Sequence, residues 1–293
     1  MAILATPAFA PAWDASGHRA VAAIAWEHMT SHARARAVAV LMHGPQRAGL
    51  AALRPRQGTD AERDRGLFMN AATWADIVRA TGHSWSVYNR PPWHYADFAW
   101  DVKNGVPHDL QGPDAINAGE RITAFRAVLA DPTAPDTTKA LALAWLLHLV
   151  GDIHQPLHCS SRVTSRDPLP QGDRGGNAFL LDAHRNLHGY WDGILEQAVA
   201  FKPHEDSMSY ARRAADRIEQ AHPGASLGGR AASTDVPAWE QEGLHLAQTV
   251  VYDSVRRGAV PSSAYKRKAL AVSEERMALA GHRLAALLNA AFR

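Results

Sequence analysis

The stretch HLVGDIHQPLH at residues 148–158 constrains this chain more than any other. Just upstream, Leu141, Trp145, His148, Leu149 and Asp152 recur at the three-and-four spacing of one helical face. That spacing stacks His148 and Asp152 one turn apart on the same side. Pro156 ends the helix, because proline has no N–H and disfavours helix in the residue before it. The stop lets His158, and His154 with it, turn back toward the same space. Imidazole and carboxylate crowded on an otherwise apolar helix are costly to bury unless something pairs with them, and a divalent metal is a suitable partner.

The 293 residues are enough for a substantial core, and abundant alanine within a 46% hydrophobic composition favours a helical protein. With 31 Lys+Arg against 29 Asp+Glu, bulk charge gives no sign of a protein that coats nucleic acid. The 16 histidines are many for this length and often lie near Asp or Trp, although His32 and His43 read as ordinary surface residues. No apolar run approaches a membrane span. The single cysteine, Cys159, excludes an intramolecular disulfide and a cysteine-based zinc site, and leaves a thiolate nucleophile beside His158 to be weighed. Residues 1–12, MAILATPAFAPA, read as the remnant of an export signal, with Ala10-Pro11-Ala12 fitting the cleavage rule before Trp13. The absence of Lys or Arg ahead of the apolar run leaves a merely disordered N-terminus as the alternative.

Periodicity predicts helices from about residue 18 to 29, at 31–42, at 60–80 carrying Trp74, Asp76 and Arg79, at 113–130 with Asp114 as N-cap, and at 136–151. Further helices are expected at 186–199, 205–221, 235–257 and 264–291. Segment 81–112 is long, aromatic and rich in Pro and Gly, a composition that favours a functional loop over a linker. Strand signals are few, near 94–100 and 177–182. The expected fold is mostly α, a single domain over 13–293 with at most a short hairpin.

Metal-competent side chains fall at Trp13/His18, Asp76, His94, His148/Asp152/His158 and His188/Asp192. The His-x-x-x-Asp spacing occurs twice on predicted helices, each time setting one nitrogen and one oxygen donor on a single face. Such N/O donors suit zinc, manganese or iron, and zinc is the closed-shell choice for hydrolysis. The donors exceed one metal's needs, so a multinuclear site follows if they converge. Spacing alone leaves open that they are separate capping and surface residues.

The segments WDASGH at 13–18, TWAD at 73–76, WHYAD at 93–97, HLVGDIHQPLH at 148–158, GDRGGN at 172–177 and NLHGYWD at 186–192 occur in this order. Together with WEQEGLHLAQTVVY at 239–252, they resemble the zinc-dependent type I nucleases, the single-strand-specific nuclease and 3′-nucleotidase family that shares its fold with zinc phospholipase C. The resemblance covers the chain from Trp13 onward. It implies three zinc ions: one held by Asp76, His94, His148 and Asp152, and a second by His158, His188 and Asp192. The third would take His18, a bridging oxygen of Asp152, and the α-amino nitrogen and carbonyl oxygen of Trp13. A free amine at Trp13 exists only after cleavage, so signal removal would complete the site. The implied reaction is hydrolysis of single-stranded RNA and DNA by a zinc-bridged hydroxide, leaving 5′-phosphates, with 3′-nucleotidase activity alongside.

The resemblance further implies that Asp97 orients the attacking water, with a hydrogen bond to a ligating histidine as the alternative. Arg79 would neutralise phosphate, or else pair with a carboxylate. Tyr95 would stack on a base or be core, and Asn177 would bond a base or sugar or shape the Gly175-Gly176 turn. The lone cysteine and the lack of any Asn-x-Ser/Thr site resemble a bacterial, non-glycosylated member, periplasmic or secreted. A zinc phospholipase C acting on lipid head groups and a non-catalytic zinc-binding protein are the rival readings. The first is disfavoured by Asp192, where the phospholipases carry Glu.

Overall fold

The computed structural model describes residues 13–79, 85–183 and 185–293; residues 1–12, and with them the expected leader, lie outside the described residues. Twelve α-helices follow among them: α1 (Ala15–His28), α2 (Ser31–Met42), α3 (Asp60–Ala71), α4 (Trp74–Ile77), α5 (Ala118–Ala130), α6 (Asp136–Asp152), α7 (Leu187–Asp192), α8 (Ile194–Ala198), α9 (Ser207–Ala221), α10 (Gly224–Leu227), α11 (Val236–Leu246) and α12 (Ser263–Ala291). Strands β1 (Phe98–Lys103), β2 (Val106–Gln111) and β3 (Ser160–Arg162) form one small sheet in the order β2-β1-β3. The fold is mostly α, as the periodicity predicts.

Local chemistry accounts for most helix starts. Asp14 caps α1 by accepting from the Gly17 N–H at 2.9 Å, and Thr59 with Glu62 forms a capping box at α3. Helix α6 is buried all round from Ala142 to Asp152 and packs against α5, α2 and α4. A helix without a solvent face is central by necessity, so His148 and Asp152 are placed inside the molecule. Buried side chains from Trp13 to Phe292 form one continuous apolar cluster around it. Among the described residues, no helix is long and apolar enough to cross a membrane.

Five boundaries differ from the sequence reading, the first being the helix expected at 235–257, which ends as α11 at Leu246 and runs on only as a π-helical turn, Ala247–Val251. The helix expected at 60–80 breaks at Ala72–Thr73, where the Thr73 hydroxyl donates back to the Asn70 carbonyl at 2.8 Å, and resumes as the single turn α4 carrying Asp76. Helix α5 is capped by Asn117 rather than Asp114. The helix expected at 186–199 divides at Gly193, and Asn186 caps its first half. The hairpin lies further on than expected, between β1 and β2, and 177–182 contributes only a single bridge, Leu180 to Asn186. Asn104-Gly105, at φ +53° and +80°, makes the tight turn that fixes β1 to β2, a hairpin signal available in the sequence. The sheet also serves the interior: β3 pairs parallel to β1, and the Ala96 N–H donates to the His158 carbonyl at 2.7 Å, so the WHYAD and HQPLH segments lie side by side.

Candidate metal centre

Helices α1, α4, α6 and α7 and the turns at Pro91–His94 and Pro156–Cys159 deliver their donors to two adjoining clusters. In the first, the Asp152 carboxylate is the hub. Its Oδ1 lies 3.3 Å from both His18 Nε2 and His148 Nε2, and its Oδ2 lies 3.0 Å from His94 Nδ1. His148 Nε2 is also 3.1 Å from His94 Nδ1 and 3.7 Å from Asp76 Oδ1. The His18 and His148 rings stack with centroids 3.9 Å apart. In the second cluster, His158 and His188 pack with centroids 4.8 Å apart, and His188 Nε2 lies 3.5 Å from Asp192 Oδ2. Within His18/Asp76/His148, His94/His148/Asp152 and His158/His188/Asp192, one donor atom per residue falls within 4.8 Å of its fellows.

The imidazoles are oriented from behind. His148, His158 and His188 each direct Nδ1 to a backbone carbonyl, of Ala72, His94 and Gly175 respectively, at 2.7–2.8 Å. That bond requires the proton on Nδ1 and turns a lone pair on Nε2 toward the cluster. The Nε2 atoms of His158 and His188, with Oδ1 of Asp152 and Oδ2 of Asp192, are buried with no hydrogen-bond partner. Burial pushes His148 and His158 well below the ordinary imidazole range and His188 down to about 4, so these rings are neutral. Burial pushes Asp76 up and Asp192 well above the usual carboxylate range. Burial acts the same way on Asp152, but His148, His18 and His94 outweigh it and hold that carboxyl well below normal. Neutral imidazoles with aimed lone pairs, beside buried carboxylates short of positive charge, form a donor set that divalent metal fits.

Residues around the donors complete the arrangement. Gln155 Nε2 donates to Asp192 Oδ1 at 2.7 Å, leaving Oδ2 facing His188. The Asp14 N–H donates to the Asp192 carbonyl at 3.0 Å, so the backbone at fully buried Trp13 adjoins the second cluster. Two glycines leave necessary space. A Cβ at Gly151 would sit 2.7 Å from His18 Nδ1, and one at Gly175, whose φ is +60°, would sit 2.4 Å from the Leu157 carbonyl oxygen. Gln155 and these glycines lie inside the HLVGDIHQPLH and GDRGGN segments but belong to no donor type, so a search for ligands passes over them.

The other expected residues fall in distinct places. Arg79 Nη1 lies 3.5 Å from Asp76 Oδ1, at the edge of the first cluster. Half-buried Tyr95 stacks on His158 with centroids 4.7 Å apart and also lines an adjoining cleft of about 410 Å³. Asp97 and Asn177 line that same cleft with Asp114, Asn117 and Arg174. The charged neighbours of Asp97 are Asp173, Asp114 and Arg174. Burial, reinforced by Asp173 and Asp114, raises its carboxyl to about 8. Asn177 does shape its turn, donating from Nδ2 to the Arg174 carbonyl at 2.9 Å.

Two sequence candidates are removed from the chemistry. His154 points away from the donors, with Nδ1 on the Val150 carbonyl and Nε2 on Arg283 at 2.9 Å. Cys159 is fully buried, directs Sγ to the Ile153 carbonyl and has its thiol pushed well up by burial, which leaves no thiolate.

A family model described as S1/P1 nuclease matches residues 13–293. Nuclease S1 of Aspergillus oryzae is 28% identical over 237 residues, covering 75% of this chain and 77% of that protein. Endonuclease 4 of Arabidopsis thaliana is 25% identical over 254 residues, 78% of each, and nuclease P1 of Penicillium citrinum is 25% identical over 215 residues, 72% and 68%. Matched from the first donor segment to the last helix, the chain belongs to the S1/P1 nuclease family and is a hydrolase of nucleic acids.

Proposed function

We propose that this protein is a three-zinc nuclease that cuts single-stranded RNA and DNA to 5′-phosphorylated products and removes the phosphate of 3′-nucleotides. We further propose that it works outside the cytoplasm, periplasmic or secreted, after cleavage before Trp13. The observation that carries the reading is the convergence of buried, unpartnered donors from His158, His188, Asp152 and Asp192 beside His18, Asp76, His94 and His148. Asp76, His94, His148 and Asp152 would hold one ion, His158, His188 and Asp192 a second, and His18, Asp152 and the Trp13 terminus a third. When bound, the zinc ions supply a water activated near neutral pH and positive charge opposite the phosphate.

The chain's own groups do the positioning. Asp152 offers Oδ1 toward His18 and Oδ2 toward His94, which suits a carboxylate shared between two ions. Arg79 adds a fixed cation at the phosphate. In the cleft, Tyr95 presents an aromatic surface to an unstacked base, a contact that tolerates any base and excludes an intact duplex. For Asp97 the cleft position favours contact with the base over orientation of the attacking water. Protonated up to about pH 8, its carboxyl can both donate to and accept from a base edge. Asn177 adds a polar contact on the same wall.

Protein beginning at Trp13 should carry three zinc ions and convert a single-stranded oligonucleotide to fragments ending in 5′-phosphate. Fragments ending in 3′-phosphate, or a single bound ion, would overturn the reading. Chain retaining residues 1–12 should be poorly active, because an amide nitrogen at Trp13 cannot ligate as an amine does. Equal activity in a form whose mass proves it uncleaved would remove the terminal amine from the site. Gln155→Leu should weaken zinc binding about 10–100-fold, as loss of a residue that orients a ligand does, while leaving the helical circular dichroism intact. Unaltered zinc affinity would show that Asp192 needs no such restraint.

A further inference from the structure

Away from the central clusters, three helices bring together His28 at the end of α1, Glu219 on α9 and His282 on α12. One donor atom from each lies within 4.8 Å of the others. His28 Nε2 hydrogen-bonds Glu219 Oε2 at 2.9 Å. His282 Nε2 approaches the other oxygen, Oε1, at 3.0 Å, and both atoms are buried. As in the central clusters, imidazole nitrogens and carboxylate oxygens from separate elements lie close together. The His28 and His282 rings lie with centroids 4.1 Å apart, side by side over the Glu219 carboxylate. The space is kept open by Gly224, where a Cβ would fall 2.6 Å from His282 Cε1.

We propose that His28, Glu219 and His282 form a separate divalent-metal site, of zinc type, that fastens the C-terminal end of α1 to α9 and α12. Two imidazole nitrogens with one carboxylate are a zinc donor set, and the partly exposed His28 leaves room for solvent to complete four-coordination. The site touches no residue of the nuclease centre, so its role is to brace the helices. The inference does not depend on how many ions the centre holds.

The test compares the full chain with its His28→Ala/His282→Ala variant, each equilibrated with zinc, freed of loose metal by gel filtration and analysed for zinc per chain. The variant should hold one zinc fewer, unfold at lower temperature in zinc, and keep nuclease activity within about twofold, as expected for a distant site. Equal zinc content would overturn the proposal, and so would a lowered unfolding temperature with unchanged zinc, which marks a purely hydrogen-bonded clasp. If the double variant does not fold, His28→Gln at the exposed helix end gives the same reading: calorimetric titration with zinc must lose or weaken one binding event. An unchanged titration overturns the proposal.

Discussion

Replacing Asp152 by alanine should remove more than one zinc ion per chain and lower hydrolysis by at least about 10³-fold. The expectation rests on the hub geometry, in which one carboxylate faces His18 and His148 through Oδ1 and His94 through Oδ2. It is also electrostatic. Its histidine neighbours hold the Asp152 carboxyl well below the usual range inside an apolar interior, and in the proposed arrangement its removal would take a shared anion from two metal positions. Asp152→Asn separates these effects, because it keeps the shape and one oxygen while removing the charge. It should retain more zinc than the alanine variant and still lose activity. Near-normal zinc in Asp152→Ala, measured on protein with unaltered circular dichroism, would sink the shared-carboxylate model. A loss of one ion only would show that Asp152 serves a single metal.

The candidate donor pairs were legible in the sequence because their spacing is local. His148/Asp152 and His188/Asp192 sit one helical turn apart, and a turn of helix forces such a pair onto one face whatever the rest of the chain does. What brings the two pairs together was not legible. The parallel pairing of β1 with β3 and the contact of Ala96 with His158 join segments some sixty residues apart, and nothing in either segment names its partner. The same limit governs Asp97: three residues after His94, it reads as part of the centre, and only the folded chain shows it lining the neighbouring cleft. His154 shows the reverse case. Its spacing with His158 resembles a ligand pair, and only the buried arginines of α12, more than a hundred residues away, explain where it points. The His28–Glu219–His282 cluster had no local signal at all, since each residue comes from a different helix.

Those buried arginines carry the largest stability effect expected outside the centre. Arg276 and Arg283 are each 1% exposed and share the Glu242 carboxylate, Arg283 through Nη1 and Nη2 at 2.8 Å each. Arg276 Nε also donates to the His154 carbonyl at 3.2 Å, which ties the network to the turn that aims Gln155 and His158. Removing the one carboxylate leaves two buried cations facing each other, and breaking a buried pair in this way costs about 3–5 kcal/mol. Glu242→Ala should therefore lower the unfolding temperature by roughly 10 °C in a chain of this size. The pair also sets a pH signature. Burial tends to raise the Glu242 carboxyl, but Arg283 and Arg276 outweigh it and hold it at about 2, against an ordinary value of 4.5. Its unfolded form therefore binds a proton first as pH falls, so the stabilisation is full above about pH 4.5 and drains away toward pH 2. Glu242→Gln keeps the shape but cannot titrate, so its unfolding temperature should start lower at neutral pH and fall less steeply below pH 4.5 than that of the wild type. Parallel profiles for the two proteins would mean that the arginines are satisfied by the backbone carbonyls of His154, Trp239 and Arg230 rather than by the carboxylate.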